Sequence, residues 1–122
     1  MATVLVVDDD RVVSHLVVSL LKEKGHKTLT AFDAVQALMQ AKRTPQVDAI
    51  VLDVNMPGGS GEETLRKLKT MSQTSDIPVI ILSGSIDAKG QDRVRVLGAA
   101  AVLSKPLKYA VDCELRRSPD PC

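Results

Sequence analysis

Five short apolar runs alternate with amphipathic segments along this chain, and that alternation restricts the fold more than anything else in it. The runs are TVLVV (3–7), KTLTAF (27–32), DAIVLDV (48–54), IPVIIL (77–82) and AAVLS (100–104). Strands that alternate with helices imply βαβ units and a parallel sheet covered on both faces. The central stretches AIVL and VIIL are continuously apolar, as strands buried on both sides must be. The second run is the weakest, because Lys27, Thr28 and Thr30 suit an edge position.

Between the runs, helical spacing recurs. In 11–24, Val13, Leu16, Val17, Leu20 and Leu21 follow i, i+3, i+4, i+7, i+8 and define an expected buried stripe. Gly25 supplies a C-terminal stop, and Asp33 is a candidate N-cap for a helix over 33–43. Segment 60–72 carries Leu65, Leu68 and Met71 on one stripe. Segment 86–97 contains Gly90, which costs about 1 kcal/mol relative to Ala in a helix interior. A fifth helix is expected after Pro106, running to Arg116 or Arg117, and the tail SPDPC cannot continue it. The domain is therefore expected to occupy 1–117, with 118–122 as a C-terminal tail.

The length of 122 residues suits one domain and one core. A formal net charge of +1 calls for no nucleic-acid partner. Phe32 and Tyr109 are the only aromatics, which argues against base-stacking surfaces and leaves the core aliphatic. Cys113 and Cys122 form no metal-ligand spacing and read as free thiols in a reducing compartment. No apolar stretch approaches the length of a membrane span, and no secretory signal is evident, so a cytoplasmic location is expected.

In open α/β sheets ligands bind beyond the carboxyl ends of the strands. The residues there are Asp8, Asp9 and Asp10 after the first run, Asp53 after the third, Ser83 after the fourth and Lys105 after the fifth. Like charges at the mouth of a buried strand repel one another and resist desolvation. Carboxylates gathered in this way can share a hard, oxygen-seeking cation such as Mg²⁺, and a lysine offsets further negative charge.

With these residues in place, the chain resembles the receiver domain of two-component response regulators. The matching segments are VVDDD (6–10), LDVNMPGGSG (52–61), Ser83-Gly84 and SKP (104–106), in the family's order over essentially the whole chain. The resemblance implies a doubly wound, five-stranded parallel sheet of order 2-1-3-4-5 flanked by five helices, the flavodoxin-like receiver fold. It implies Asp53 as phosphoacceptor, with Asp8, Asp9, Asp53 and the backbone carbonyl of Asn55 holding Mg²⁺. Lys105 would pair with the phosphoryl group and Ser83 would hydrogen-bond it, with Gly84 leaving the approach open and a cis Lys105–Pro106 bond aiming the lysine inward. The implied partners are a histidine kinase or histidine phosphotransfer protein and a downstream output protein or domain. Neither direct nucleic-acid contact nor membrane insertion is implied. The protein would be a signalling phosphoacceptor that assists its own phosphorylation and dephosphorylation, not an enzyme.

Each residue also has a plainer reading. Asp8 and Asp9 would be a solvated turn, Asp53 a loop acid, Lys105 surface charge and Ser83 a turn residue. Asp10 reads as the N-cap of the first helix, and His15 is assigned no role. Two departures from the family pattern stand out: Val102 occupies the usual aromatic switch position, and Ser60 replaces the acidic residue before the loop glycine. Three rivals are weaker. A Mg²⁺-dependent aspartyl-phosphate hydrolase needs an Asp where this chain has Asn55. A phosphorylation-independent docking module would not need the full residue set. A flavin site needs a phosphate loop where the carboxylates lie. Whether the receiver stands alone or belongs to a larger protein is left open.

Overall fold

The computed structural model describes residues 2–42, 47–53, 61–83 and 88–104. Five strands, β1 (Thr3–Val7), β2 (Lys27–Ala31), β3 (Ala49–Asp53), β4 (Val79–Ser83) and β5 (Ala101–Ser104), form one parallel sheet in the order β2-β1-β3-β4-β5. Between them run α1 (Arg11–Glu23), α2 (Ala34–Ala41), α3 (Gly61–Thr70) and α4 (Ala88–Val96). The threonine-bearing β2 lies at an edge, as its composition requires. The expected fifth helix, the domain boundary at 117 and the Lys105–Pro106 bond lie outside the described residues.

Alternation along the central strands splits the core in two. Leu5, Val7, Ile50, Leu52, Val79 and Ile81 point to the side covered by α2, α3 and α4, where Ala37, Leu65, Leu68 and Val94 meet them. Val4, Val6, Val51 and Leu82 point the other way, toward Val17 and Leu21 of α1. A strand with a helix on each side must be apolar at every position, and β3 is buried throughout.

Local signals fix the ends of the elements. Asp10 caps α1, its side chain accepting from the N–H groups of Val12 (2.9 Å) and Val13 (3.3 Å). The helix ends with Gly25 at φ 88°. There the Gly25 N–H donates to Lys22 O and the His26 N–H to Leu21 O, the paired bonds of a Schellman motif. Asp33 caps α2 by accepting from Gln36 N–H (2.8 Å), and Gln36 Oε1 accepts in return from Phe32 N–H (2.8 Å).

Most elements are a residue or more shorter than the sequence expectation, Met71 falls beyond the end of α3, and three differences have a clear physical reason. The buried line of α1 is Ser14, Val17 and Leu21, while Leu16 is half exposed. The helix presents one row to the sheet, and Leu16 falls a third of a turn away from it. The fourth strand begins at Val79 and not at Ile77, because the Ile77 N–H is taken by Thr74 O in the preceding turn. The third strand begins at Ala49, after Asp48, whose carboxylate accepts from Thr3 N–H at 2.8 Å and ties the start of β1 to that of β3.

Candidate functional site at the carboxyl edge of the sheet

Register sets the site. Val7 pairs with Leu52 across β1 and β3, so Asp8 and Asp53 come next at the same level on adjacent strands. Val7 also pairs with Ala31 of β2, and the Asp8 N–H donates to Ala31 O (3.1 Å), so Phe32 flanks Asp8 on the other side. Asp8 and Asp53 are buried and Asp9 is exposed; one carboxylate oxygen from each lies within 4.8 Å of the others. Asp8 Oδ1 accepts from the Asp10 N–H (2.9 Å), which orients its carboxylate. Asp10 itself turns to the helix N-terminus, so the run of three aspartates divides into two members of the cluster and one cap.

Three carboxylates so close, two of them buried, repel one another, and a positive charge among them offsets that cost. Their oxygens suit a small divalent ion. In octahedral coordination at about 2.1 Å, cis ligands lie about 3 Å apart and trans ligands about 4.2 Å apart, so three oxygens within 4.8 Å of one another are close enough to draw in around one ion. Among the described residues this is the acidic group that could hold a metal.

Residues 4–111 match the response regulator receiver domain. The chain belongs to the response regulator receiver family. This receiver is 37% identical over 105 residues to the phosphate regulon transcriptional regulatory protein PhoB of Escherichia coli K12, a match spanning 84% of this chain and 44% of PhoB. It is 39% identical over 108 residues to the response regulator PleD of Caulobacter vibrioides, spanning 87% of this chain and 23% of PleD. The chain thus spans less than half the length of these curated relatives. The crystal structure of chemotaxis protein CheY4 of Vibrio cholerae superposes with a TM-score of 0.88 at 30% identity, covering 96% of this chain and 98% of that one. The receiver domain of sensor histidine kinase PA1611 of Pseudomonas aeruginosa PAO1 superposes with a TM-score of 0.84 at 25% identity, covering 95% of each chain; its structure holds a magnesium ion in the active site cleft.

Of the site residues expected from sequence, the structure brings Asp8, Asp9 and Asp53 together. Ser83 closes β4, paired with Ser104 of β5, and its side chain lies outside the described residues, as do Asn55 and Lys105. Val102 pairs with Ile81 and packs, half-buried, on the α2–α3–α4 side of the core, so no ring occupies that position.

Sequence reasoning missed the neighbours of the cluster. The Arg11 guanidinium, at the first position of α1, lies 4.4 Å from the centroid of the Phe32 ring. Farther along the sheet, Glu62 at the start of α3 pairs with Arg93 of α4 (2.9 Å). The pair borders a groove of about 380 Å³ that Asp92, Val96 and Leu97 complete. A signal for Arg11 was available: a cation in the first turn opposes the helix dipole, so its presence there asks for a partner.

Proposed function

We propose that this receiver accepts a phosphoryl group onto Asp53 from a phosphohistidine of a histidine kinase or histidine phosphotransfer protein, in a Mg²⁺-dependent reaction. The phosphorylated form then engages a downstream output protein or domain. The observation that carries the reading is the meeting of Asp8, Asp9 and Asp53 at the ends of adjacent strands. The fit of the donor set to a divalent ion and the magnesium in the PA1611 receiver support it further.

In this reading Asp8, Asp9, Asp53 and the backbone carbonyl of Asn55 would hold a divalent ion, whose chemistry would be charge neutralisation during transfer. A carboxylate oxygen of Asp53 attacks phosphorus, the P–N bond to the donor imidazole breaks, and the imidazole leaves with the electron pair. The product is an acyl phosphate. Phosphoryl transfer depends on positioning and charge neutralisation more than on covalent help. The paired strands supply the positioning by fixing Asp53 and Asp8 side by side. Lys105 pairs with the phosphoryl group and Ser83 hydrogen-bonds one of its oxygens. The receiver unit comprises residues 1–117, with 118–122 as a tail. No helix among the described residues is long and apolar enough to cross a membrane, and a histidine kinase as donor implies a cytoplasmic setting.

Incubation with Mg²⁺ and a small acyl-phosphate donor, followed by intact mass measurement, tests this. The wild-type chain gains one phosphoryl group and Asp53→Asn gains none. Equal labelling of that variant overturns the assignment of Asp53.

A further inference from the structure

Arg11 stands where a cation is least welcome on α1 and closest to the carboxylates along the chain. It is two residues from Asp9 and three from Asp8, yet among the described residues no ion pair joins it to either. Its guanidinium lies over Phe32, 4.4 Å from the ring centroid. Phe32 is placed there by the sheet. It follows Ala31, whose carbonyl accepts from the Asp8 N–H (3.1 Å), and its own N–H is held by Gln36 Oε1 (2.8 Å). The ring is half-buried and the arginine exposed, so the ring is the fixed member of the pair and the guanidinium the movable one.

A guanidinium that reached Asp8 or Asp9 would satisfy the same oxygens that a divalent cation needs, in bidentate geometry if it could. Cation–π attraction offers it another seat. We propose that Phe32 holds Arg11 off the acidic cluster, so that this ring–cation pair sets the Mg²⁺ affinity of the site. The inference rests on the reading of Asp8, Asp9 and Asp53 as a metal centre. It makes Phe32 a positioning residue that acts through Arg11.

The test is a Mg²⁺ titration of the full chain by calorimetry, at low ionic strength where exposed charges are least screened. The variants are Phe32→Leu, Phe32→Tyr, Arg11→Gln and the double variant Arg11→Gln/Phe32→Leu, with the metal-free thermal midpoint of each recorded. Phe32→Leu releases the guanidinium and weakens Mg²⁺ binding by about two- to five-fold, the range of an exposed ion pair. Phe32→Tyr keeps a ring and keeps wild-type affinity. In the double variant no guanidinium remains to compete, and affinity returns to that of Arg11→Gln alone. The proposal is overturned if Phe32→Leu lowers the thermal midpoint without changing Mg²⁺ affinity, which would make the pair a structural staple. It is overturned equally if the loss of affinity persists in the double variant. A wild-type chain that binds no Mg²⁺ fails at an earlier point: the metal-centre reading itself falls, and this inference falls with it.

Discussion

Gly98 lies against the aliphatic stem of Lys69. A Cβ built at Gly98 would meet Lys69 Cγ at 3.0 Å, and the glycine holds φ at +111°. Two constraints therefore coincide at one residue, a backbone conformation that L side chains avoid and a close approach. Gly98→Ala should destabilise the fold by about 2 kcal/mol, and Gly25→Ala by about 1 kcal/mol, since Gly25 has positive φ but open space around it. Urea unfolding of the two variants beside the wild type measures the difference. Equal losses would show that the Lys69 stem simply moves aside.

The other end of Lys69 is equally committed. Its Nζ donates to the carbonyls of Ser75 (3.2 Å) and Ile77 (2.6 Å), closing the turn between α3 and β4. Lys69→Met keeps the stem and removes the donor, leaving two part-buried carbonyls short of a partner, at a cost of about 1–3 kcal/mol. Desolvation holds the Lys69 ammonium below the usual lysine range, only partly countered by Asp76. A depressed folded-state pKa means that the unfolded chain binds more protons in the window below 10.5. The stability of the wild type relative to Lys69→Met should therefore rise with pH as that window is crossed. Unfolding free energies of both proteins between neutral pH and pH about 10 check the sign. A difference that shrinks with rising pH contradicts it.

Neutralising one acid of the cluster should relieve repulsion. Two unit charges 4.8 Å apart repel by roughly 3.5 kcal/mol at an effective dielectric of about 20. Part of that gain is offset by the contacts Asp53 makes. Asp53→Ala is expected to raise metal-free stability by about 1–3 kcal/mol. Mg²⁺ is expected to stabilise the wild type by RT ln(1 + [Mg²⁺]/Kd), and the variant should lose most of that gain. Thermal midpoints with and without Mg²⁺ report both effects, and a wild-type midpoint indifferent to Mg²⁺ speaks against a shared site.

Phosphorylation should act on α4. Among the described side chains of that helix, Val94 is fully buried while Val96 is 86% exposed, so one valine supplies the apolar anchor they offer. The exposed Glu62–Arg93 pair adds only a weak tie. Elements held this lightly sit at the low-stability end of a fold. Hydrogen exchange with and without a phosphoryl mimic should show its largest protection change in 83–97, and in the face formed by α4 and β5. A change confined to α1 and α2 would put the output surface elsewhere.

What the sequence made legible was periodic or terminal. The apolar runs, the caps at Asp10 and Asp33, the stop at Gly25 and the edge character of β2 each depend on a few neighbouring residues. The meeting of Asp8, Asp9 and Asp53 followed from the rule that parallel strands present their carboxyl ends together, with the order 2-1-3-4-5 supplied by resemblance. Less was legible where distant segments choose between equivalents. Leu16 and Val17 both fit an apolar stripe, and only the position of α1 on the sheet decides that Val17 is covered. Lys69 looks like an ordinary surface cation and Arg11 signals only that it needs a partner, because the carbonyls and the ring that receive them are brought close only by the finished fold.

Phe32 has one more consequence, for how the protein can be watched. It is the only phenylalanine in a chain that has no tryptophan, and it stands beside Asp8, one residue beyond the Val7–Ala31 pair, with a guanidinium over its face. Growth on fluorinated phenylalanine would therefore place a single ¹⁹F nucleus in the whole molecule, beside the acidic cluster. One resonance, free of assignment, would follow ion binding, phosphoryl arrival and the movement of Arg11 in the same sample.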